Sequence, residues 1–365
     1  MRTIRLRDVE AHAPPRLFGR RVSGWVAPRR QPALLAVALL IVAAIALLSV
    51  AVGSVFIPPS VTLKILLSRL LPLRIAPDWP AAFEQILIEI RLPRVALVAL
   101  TGAALACSGT AYQGLFRNPL ADPYLIGVAS GAGLGAMVAI TLPVTQPLLV
   151  PSCAFVGAVL TIALVYALAR VGGSTPVTTL LLAGVAVGTL ATAFSTFLLL
   201  RLSQQATRVL AFLLGGYGGA GWESVLAVLP FSTLGCGLLY LYARPLTLLL
   251  FDVEQARQLG VDVERVTLIV IIAATLTTAA AVAFSGLIGF VGLIVPHMGR
   301  LLVGADQRRL LPLSTLGGAG FLLLADLLAR TVIAPEELPL DVVTAFVGAP
   351  FFLWLLRRAR RAAFF

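Results

Sequence analysis

The side chains that could do chemistry are few in this sequence, and none of them has a catalytic arrangement. The chain contains a single lysine, Lys64, within the apolar run VTLKILL. A P-loop ends its glycine-rich turn in Gly-Lys-Ser/Thr, so this chain has no P-loop with which to hydrolyse ATP. Its two histidines, His12 and His297, have no carboxylates spaced around them as metal ligands. The sequence therefore predicts neither P-loop chemistry nor a metal centre.

A pair of carboxylates, Glu336 and Glu337, is the remaining candidate for acid–base chemistry, as in an intramembrane protease. The pair lies between Pro335 and Pro339 in a predicted outside loop, and no intramembrane histidine is placed opposite it. The three cysteines lie in apolar segments without paired spacing and are expected to be packing residues. We therefore predict no catalytic residue, and no cofactor bound by this chain.

Three arginines stand where membrane topology does not require cations. Arg91 and Arg94 flank Pro93 just before a predicted transmembrane span at 95–116. Arg330 lies near the predicted outer end of another span, at 311–333. Their side chains either snorkel to lipid headgroups or form a cationic rim that docks an acidic partner. Asp326, four residues before Arg330, could form an i,i+4 ion pair with it. An intramembrane carboxylate can also serve as an ion site. Asp326 is therefore the candidate ion site if the protein is an ion-coupled secondary transporter, an alternative that stays open here.

The composition indicates the environment of these residues. Hydrophobic residues make up 59% of the chain and charged residues 12%, and the mean hydropathy is +0.99. Soluble domains are much less apolar and carry about 25% charged residues, so this is a polytopic membrane protein. The net charge of +12 is explained by the positive-inside bias. Nucleic-acid binding is not expected, because basic residues do not cluster with aromatic ones.

Apolar segments of membrane length predict an all-α protein with about ten transmembrane helices. The intervening segment 202–222 is too polar and too rich in glycine to span, and is expected to be interfacial or re-entrant. The ten predicted spans are 33–56, 95–116, 124–143, 150–169, 178–200, 225–250, 266–284, 287–303, 311–333 and 340–356.

Charge predicts the orientation and the organisation of the chain. Residues 1–32 form a basic segment with eight arginines, and the apolar run after it is too long for the core of a cleaved signal. If this segment is cytoplasmic, most of the 28 lysines and arginines lie inside. We therefore expect a cytoplasmic segment 1–32, a transmembrane domain 33–357 and a cytoplasmic tail 358–365. An even number of spans places both termini in the cytoplasm.

Two helix faces carry almost no side-chain bulk. They lie at 127–135, GVASGAGLG, and 314–320, STLGGAG. Small residues allow close approach of helices in a membrane. The alternative is that these faces also line a path for a bulky ligand.

The segment 251–265, FDVEQARQLGVDVER, is too polar to be an ordinary membrane turn. Its apolar residues Val253, Ala256 and Leu259 recur every three positions, and Gly260 stands where a helix could end. The pattern predicts a short amphipathic helix, a stop and another brief helix on the cytoplasmic face. The segment is either a solvated connector or a half-apolar ridge that contacts a partner protein.

Six motifs together resemble the FecCD-type permeases, the membrane subunits of ABC importers for haem, ferric siderophores and cobalamin. They occur in the same order as in that family, and the resemblance covers about residues 33–357. The motifs are RLPR at 91–94, NPLADP at 118–123, LLLAGVA at 180–186, ARQLG at 256–260, GFVGLIVPH at 289–297 and GAPF at 348–351.

The resemblance implies a subunit of a larger assembly. Such permeases form a two-fold homodimer with a central translocation pathway between the subunits. They bind two separate ATPase subunits, receive ligand from a periplasmic binding protein, and lie in the bacterial inner membrane. The chain itself would not be an enzyme, and transport would proceed by alternating access driven by ATP. Segments 91–200 and 265–356 would be inverted repeats. Haem is the favoured cargo on general resemblance.

The resemblance also implies roles for individual residues. Arg91, Arg94 and Arg330 would receive glutamates of the binding protein. Asn118, Leu120, Val177 and Thr178 match the cytoplasmic gate; Val177 departs from the polar residue of a cobalamin permease. The loop 251–265 would form two short helices that couple to the ATPase. The coupling residues in that loop are Glu254, Ala256, Arg257, Leu259 and Gly260.

Overall fold

The computed structural model describes residues 30–53, 57–70, 78–144, 146–201 and 205–363. Most of the predicted basic segment 1–32 lies outside the described residues, as do the last two positions of the predicted tail 358–365. Within the described ranges the regular structure is helical, apart from one antiparallel bridge between Val171 and Ser174. The prediction of an all-α protein is confirmed.

The described residues form fourteen helices, of which ten are apolar and of membrane type. In chain order they are α1 Gln31–Ala51, α2 Pro59–Leu70, α3 Ala81–Leu115, α4 Val128–Thr141, α5 Leu149–Ala169, α6 Val177–Arg201, α7 Ala206–Leu213, α8 Trp222–Leu241, α9 Ala243–Phe251, α10 Val253–Gln258, α11 Val263–Ser285, α12 Val291–Val303, α13 Gln307–Thr331 and α14 Leu340–Ala363. Helices α1, α3, α5, α6, α8, α11 and α13 are long and apolar enough to cross a membrane, and α4, α12 and α14 contain shorter apolar stretches. These ten helices match the ten predicted spans in order.

Two predicted boundaries are wrong, and a proline lies near each. The predicted span 225–250 is divided into α8 and α9, and Pro245 lies in the first turn of α9, where its missing N–H costs no hydrogen bond. The predicted span 95–116 begins much earlier, at Ala81, so the helix continues through Pro93. It contains a wider π turn at Ile86–Arg91, which ends two residues before Pro93, a residue that cannot donate a hydrogen bond to the preceding turn.

Helices α3 and α11 lie at the centre of the bundle, whereas α1 and α6 are largely exposed. Glycine allows the closest contacts: Gly102 of α3 meets Gly318 of α13, where a Cβ atom on either would collide with the other's carbonyl oxygen. Gly135 of α4 contacts the carbonyl of Cys153 of α5 in the same way. Close packing therefore accounts for these members of the two small-residue faces.

Two breaks in the helical bundle meet inside it. Each precedes a short helix, α4 or α12, whose N-cap residue is left-handed: Gly127 with φ +89° and Phe290 with φ +68°. The hydroxyl of Tyr124 in the first break donates to the carbonyl of Ile288 in the second, at 3.0 Å, and accepts from the Ile288 N–H, at 3.2 Å. Both halves of the chain thus contain a long helix, a break and a short helix in the same order.

Helix α2, in the connection between α1 and α3, carries two basic residues that pair with carboxylates nearby in the chain. Lys64 of α2 donates to Asp78, and this hydrogen bond lowers the pKa of Asp78. Arg69 of α2 donates to Glu84 at the start of α3, at 2.7 Å. Both of these cations of α2 are thus paired with nearby carboxylates.

Candidate functional site

Two of the three outer arginines bind the end of α1. Nη1 of Arg91 lies 2.9 Å from the carbonyl oxygen of Val50 and 2.8 Å from that of Ala51. Arg330 donates to the carbonyls of Val52 and Ser49, both at 3.1 Å. The last carbonyls of a helix lack partners within the helix and favour a nearby cation. Arg91 and Arg330 therefore cap α1, which differs from snorkelling into headgroups.

The third arginine, Arg94, joins two carboxylates. It donates to Oδ1 of Asp326 from Nε at 3.1 Å and from Nη2 at 2.9 Å. It also binds both oxygens of Glu337, from Nη1 at 2.9 Å and from Nη2 at 2.8 Å. Asp326 is fully buried, whereas the side chain of Glu337 is 47% exposed. Arg94 therefore links the bundle interior to the outer surface.

The predicted i,i+4 ion pair of Asp326 and Arg330 is confirmed. Nε of Arg330 lies 2.9 Å from Oδ2 of Asp326, without the alignment of a hydrogen bond. Asp326 thus lies between two guanidinium groups, from Arg94 and Arg330. This pairing gives Asp326 a structural role and leaves it poorly suited to be the ion site of a secondary transporter.

The ridge at residues 251–265 is organised by α10. Oδ1 of Asp252 caps this helix by accepting from the N–H groups of Glu254, at 2.7 Å, and Gln255, at 3.1 Å. Ala256 is buried, Leu259 is 69% exposed, and Gly260 ends the turn with φ +82°. The predicted ridge therefore has an inner apolar anchor and an outer apolar side chain.

One detail of this loop was predicted wrongly. The two short helices are α9 and α10, and residues 263–265 begin the long helix α11. Asp262 accepts from the N–H of Arg265 at 3.0 Å and so caps α11 directly. Arg257 joins α10 to α11 through Glu264, at 2.8 Å. A displacement of α10 would therefore also shift the first turn of α11, through this ion pair.

The predicted gate residues lie in two places, the turn after α3 and the start of α6. Asn118 and Leu120 are exposed in the turn after α3, and the amide oxygen of Asn118 accepts from the N–H of Leu120 at 2.9 Å. Val177 is half-buried at the start of α6, and Thr178 is exposed. Two of the four predicted gate residues thus belong to the turn after α3, and the other two belong to the first turn of α6.

A cavity of about 230 Å³ connects the gate segments with the ridge. Arg117, which precedes Asn118, lines it together with Val177. Arg257 and Glu264 of the ridge line the same cavity. A displacement of the ridge would therefore change the walls of a space that the start of α6 also borders.

An exposed threonine stripe on α6 was missed by the sequence analysis. Thr178, Thr189, Thr192 and Thr196 recur at helical spacing, and all four are exposed. The hydroxyls of Thr189 and Thr192 donate to the carbonyls four residues earlier, at 2.7 and 2.9 Å. Such internal bonds allow threonine to face an apolar medium or a ligand. The 3.6-residue repeat of threonine in 177–201 was the available signal.

Metal ligands do not gather in the described part of the chain. No three His, Cys, Asp or Glu side chains come together there in a way that could hold an ion. His297 of α12 is half-buried, and its ring centre lies 5.8 Å from that of Phe351 of α14. A structural role for His297 agrees with this contact.

Comparison with known proteins places this geometry in a family. The family model described as the FecCD transport family matches residues 39–358. The cobalamin import system permease protein BtuC of Halobacterium salinarum is 48% identical over 278 residues, which cover 76% of this chain and 75% of that protein. The hemin transport system permease protein HmuU of Yersinia pestis is 42% identical, covering 76% of this chain and 85% of that protein.

A third relative and a solved structure agree with these matches. The Fe(3+)-citrate import system permease protein YfmD of Bacillus subtilis is 37% identical, over 77% of this chain and 84% of that protein. A structure described as an inward-facing metal-chelate type ABC transporter superposes with a TM-score of 0.78 at 30% identity. That superposition covers 90% of this chain and 99% of the solved chain. The chain is therefore a member of the FecCD transport family, as the six sequence motifs predicted.

Proposed function

We propose that this chain is the permease subunit of an ATP-driven importer for a bulky metal chelate, the class that includes haem, ferric siderophores and cobalamin. The observation that carries the proposal is the near-complete match to the FecCD family together with relatives named as permeases for cobalamin, hemin and ferric citrate. Haem, favoured from the sequence, is the first cargo to test. The chain supplies the path, and a separate ATPase supplies the energy.

The cytoplasmic ridge is proposed to bind that ATPase. Glu254, Arg257 and Leu259 are exposed on α10 and the turn after it, whereas Ala256 anchors the helix in the bundle. An exposed apolar residue surrounded by charges suits a docking contact between proteins. The ion pair of Arg257 with Glu264 then provides a route from the ATPase to α11.

The translocation path is proposed to lie between two copies of this chain. The threonine stripe of α6 supports this arrangement, because it offers a weakly polar surface along a helix that is only thinly covered by its own bundle. A weakly binding lining lets a bulky cargo leave, while the binding protein supplies the affinity. Asn118, Leu120, Val177 and Thr178 are proposed to close the cytoplasmic end of that path.

The proposed location is the bacterial inner membrane, with both termini in the cytoplasm. The ten apolar helices support an even number of crossings. If these ten helices cross the membrane in alternation, seven arginines fall on the side of the ridge, as the positive-inside rule requires of a cytoplasmic face. These are Arg117, Arg170, Arg244, Arg257, Arg265, Arg308 and Arg309.

Reconstitution tests the function and the cargo together. The permease would be placed in liposomes with its ATPase, and its binding protein would be supplied outside. We expect uptake of one of haem, cobalamin and ferric citrate only when ATP is inside and the binding protein is present. A Walker-lysine variant of the ATPase is the matched control. Uptake driven by a proton gradient without ATP would overturn the proposal in favour of a secondary transporter.

A further inference from the structure

The three outer arginines differ in how they are held. Arg91 and Arg330 are buried against backbone carbonyls of α1, and an incoming protein could reach them only by uncapping that helix. Arg94 is held by carboxylates, and one of them, Glu337, belongs to the exposed loop between α13 and α14. The three positions are therefore not equivalent as docking residues.

The two carboxylates on Arg94 also differ. Asp326 is fully buried, and removing a buried partner from an ion pair leaves an uncompensated charge at high cost. The side chain of Glu337 is 47% exposed and that of Arg94 is 12% exposed, so water competes for the carboxylate of Glu337 much more than for the guanidinium. Glu337 is therefore the carboxylate that leaves Arg94 at the smaller cost, and Asp326 would still pair with the guanidinium.

The local charge favours an acidic visitor. Two guanidinium groups, from Arg94 and Arg330, contact two carboxylates, from Asp326 and Glu337. When Glu337 leaves, Asp326 alone balances these two positive charges. A second carboxylate is thus the ligand that restores the balance, and it can use the same bidentate geometry on Arg94.

We propose that Glu337 occupies, in the free permease, the site on Arg94 that a carboxylate of the binding protein takes when that protein docks. Arg94 is then the docking arginine, whereas Arg91 and Arg330 cap the end of α1. This inference rests on the proposed function, because it requires a binding protein that docks at the outer face. It predicts that Glu337 competes with the partner for one guanidinium.

Binding of the organism's own purified binding protein to the permease in nanodiscs tests the competition. Glu337→Gln should tighten binding by about threefold to tenfold at low salt, because the competing charge is removed. Glu336→Gln is the matched control: it removes the same charge from the same exposed loop and should change binding by less than about twofold. Equal tightening in both variants would show a general charge effect and overturn the exchange.

Arg94→Ala tests whether the effect passes through this residue. It should weaken binding, and Glu337→Gln added to it should bring no further gain, because the two groups then act as a coupled pair. Arg91→Gln should lower Tm, with binding by the folded protein within about twofold of the wild type. Loss of binding in Arg91→Gln at unchanged Tm would overturn the assignment to Arg94.

The two proposals fail in different ways. If the wild-type permease binds no periplasmic binding protein, the proposed function fails, and this inference fails with it. If the wild type binds and Glu337→Gln binds equally or more weakly, the inference alone is overturned.

Discussion

Asp326 is the residue whose charge most needs its neighbours. It is fully buried in α13, and the guanidinium groups of Arg94 and Arg330 lie 2.9 Å from its oxygens. An ionised carboxylate in an apolar bundle is costly unless such partners surround it. The cluster in turn places Arg330 on the end of α1 and Arg94 on Glu337. One buried charge therefore orders both of these contacts.

We expect Asp326→Asn to destabilise the permease by about 3 kcal/mol, because it leaves the guanidinium of Arg330 without a counter-charge and that of Arg94 with Glu337 alone. The measurement is thermal unfolding in detergent. Glu84→Gln, which breaks the more exposed pair with Arg69, is the control and should change stability by less than about 1 kcal/mol. Equal losses in both variants would contradict a special role for the buried cluster.

At the scale of elements, the bundle depends on helices that touch through backbone. Helices α3 and α13 are in contact where Gly102 meets Gly318, and α4 and α5 where Gly135 meets the carbonyl of Cys153. Between lipid-embedded helices, close packing takes the place of the hydrophobic effect. The two short helices α4 and α12 then leave room for the breaks that join at Tyr124 and Ile288.

Gly102→Ala is expected to destabilise the protein by about 1–3 kcal/mol, because its Cβ atom would collide with the carbonyl of Gly318 and push α3 from α13. Gly237→Ala in α8 is the matched control, since no atom lies within 4 Å of the added Cβ. It should leave Tm unchanged or raise it slightly, as alanine favours helix. Thermal unfolding of the two variants decides between steric and general effects.

The ridge predicts a separable effect on partner binding. Leu259→Ala should weaken association with the ATPase by about tenfold at unchanged Tm, because the side chain is 69% exposed and packs little within this chain. Leu142→Ala, an exposed leucine at the opposite end of the bundle, is the control. Co-purification and titration of the ATPase measure both. If only the Leu142 variant lost binding, the ATPase would bind at the end of the bundle opposite the ridge, which would contradict the prediction.

At the scale of the whole molecule, the exposed faces of α6 differ in chemistry. One carries the threonine stripe, and another carries Leu190, Phe194 and Phe197, each more than half exposed. The buried face, with Leu180 and Gly184, packs on the bundle. An apolar face suits lipid, and a threonine stripe suits a path shared with a second copy.

Thr192→Trp is expected to reduce ATP-driven uptake at least tenfold while ATPase binding is retained, because an indole would narrow the proposed path. Leu190→Trp places the same ring on the apolar face of α6 and should leave uptake within about twofold. Uptake in liposomes and native mass of the purified permease measure the block and the proposed dimer. Equal inhibition by both variants would contradict the assignment of the faces.

The sequence by itself determined the features that depend on local chemistry. Apolar length predicted the ten apolar helices, Gly260 predicted the end of the short helix α10, and the spacing of Asp326 and Arg330 predicted their ion pair. Each of these depends on residues within a few turns of one another. The errors arose where a proline was misread: Pro245 lies where two helices meet within a predicted span, whereas α3 continues through Pro93.

Only the tertiary structure decided what the long side chains bind. Arg91 meets carbonyls some 40 residues earlier in the chain, and Arg94 meets a glutamate 243 residues later. No local pattern specifies such partners, since they are brought together by packing of α1, α3 and α13. The same holds for the meeting of Tyr124 with Ile288. The sequence thus determined where the charged residues lie along the chain. The packing of the bundle decided which partners they bind, and it left the contact of Arg94 with Glu337 at the surface.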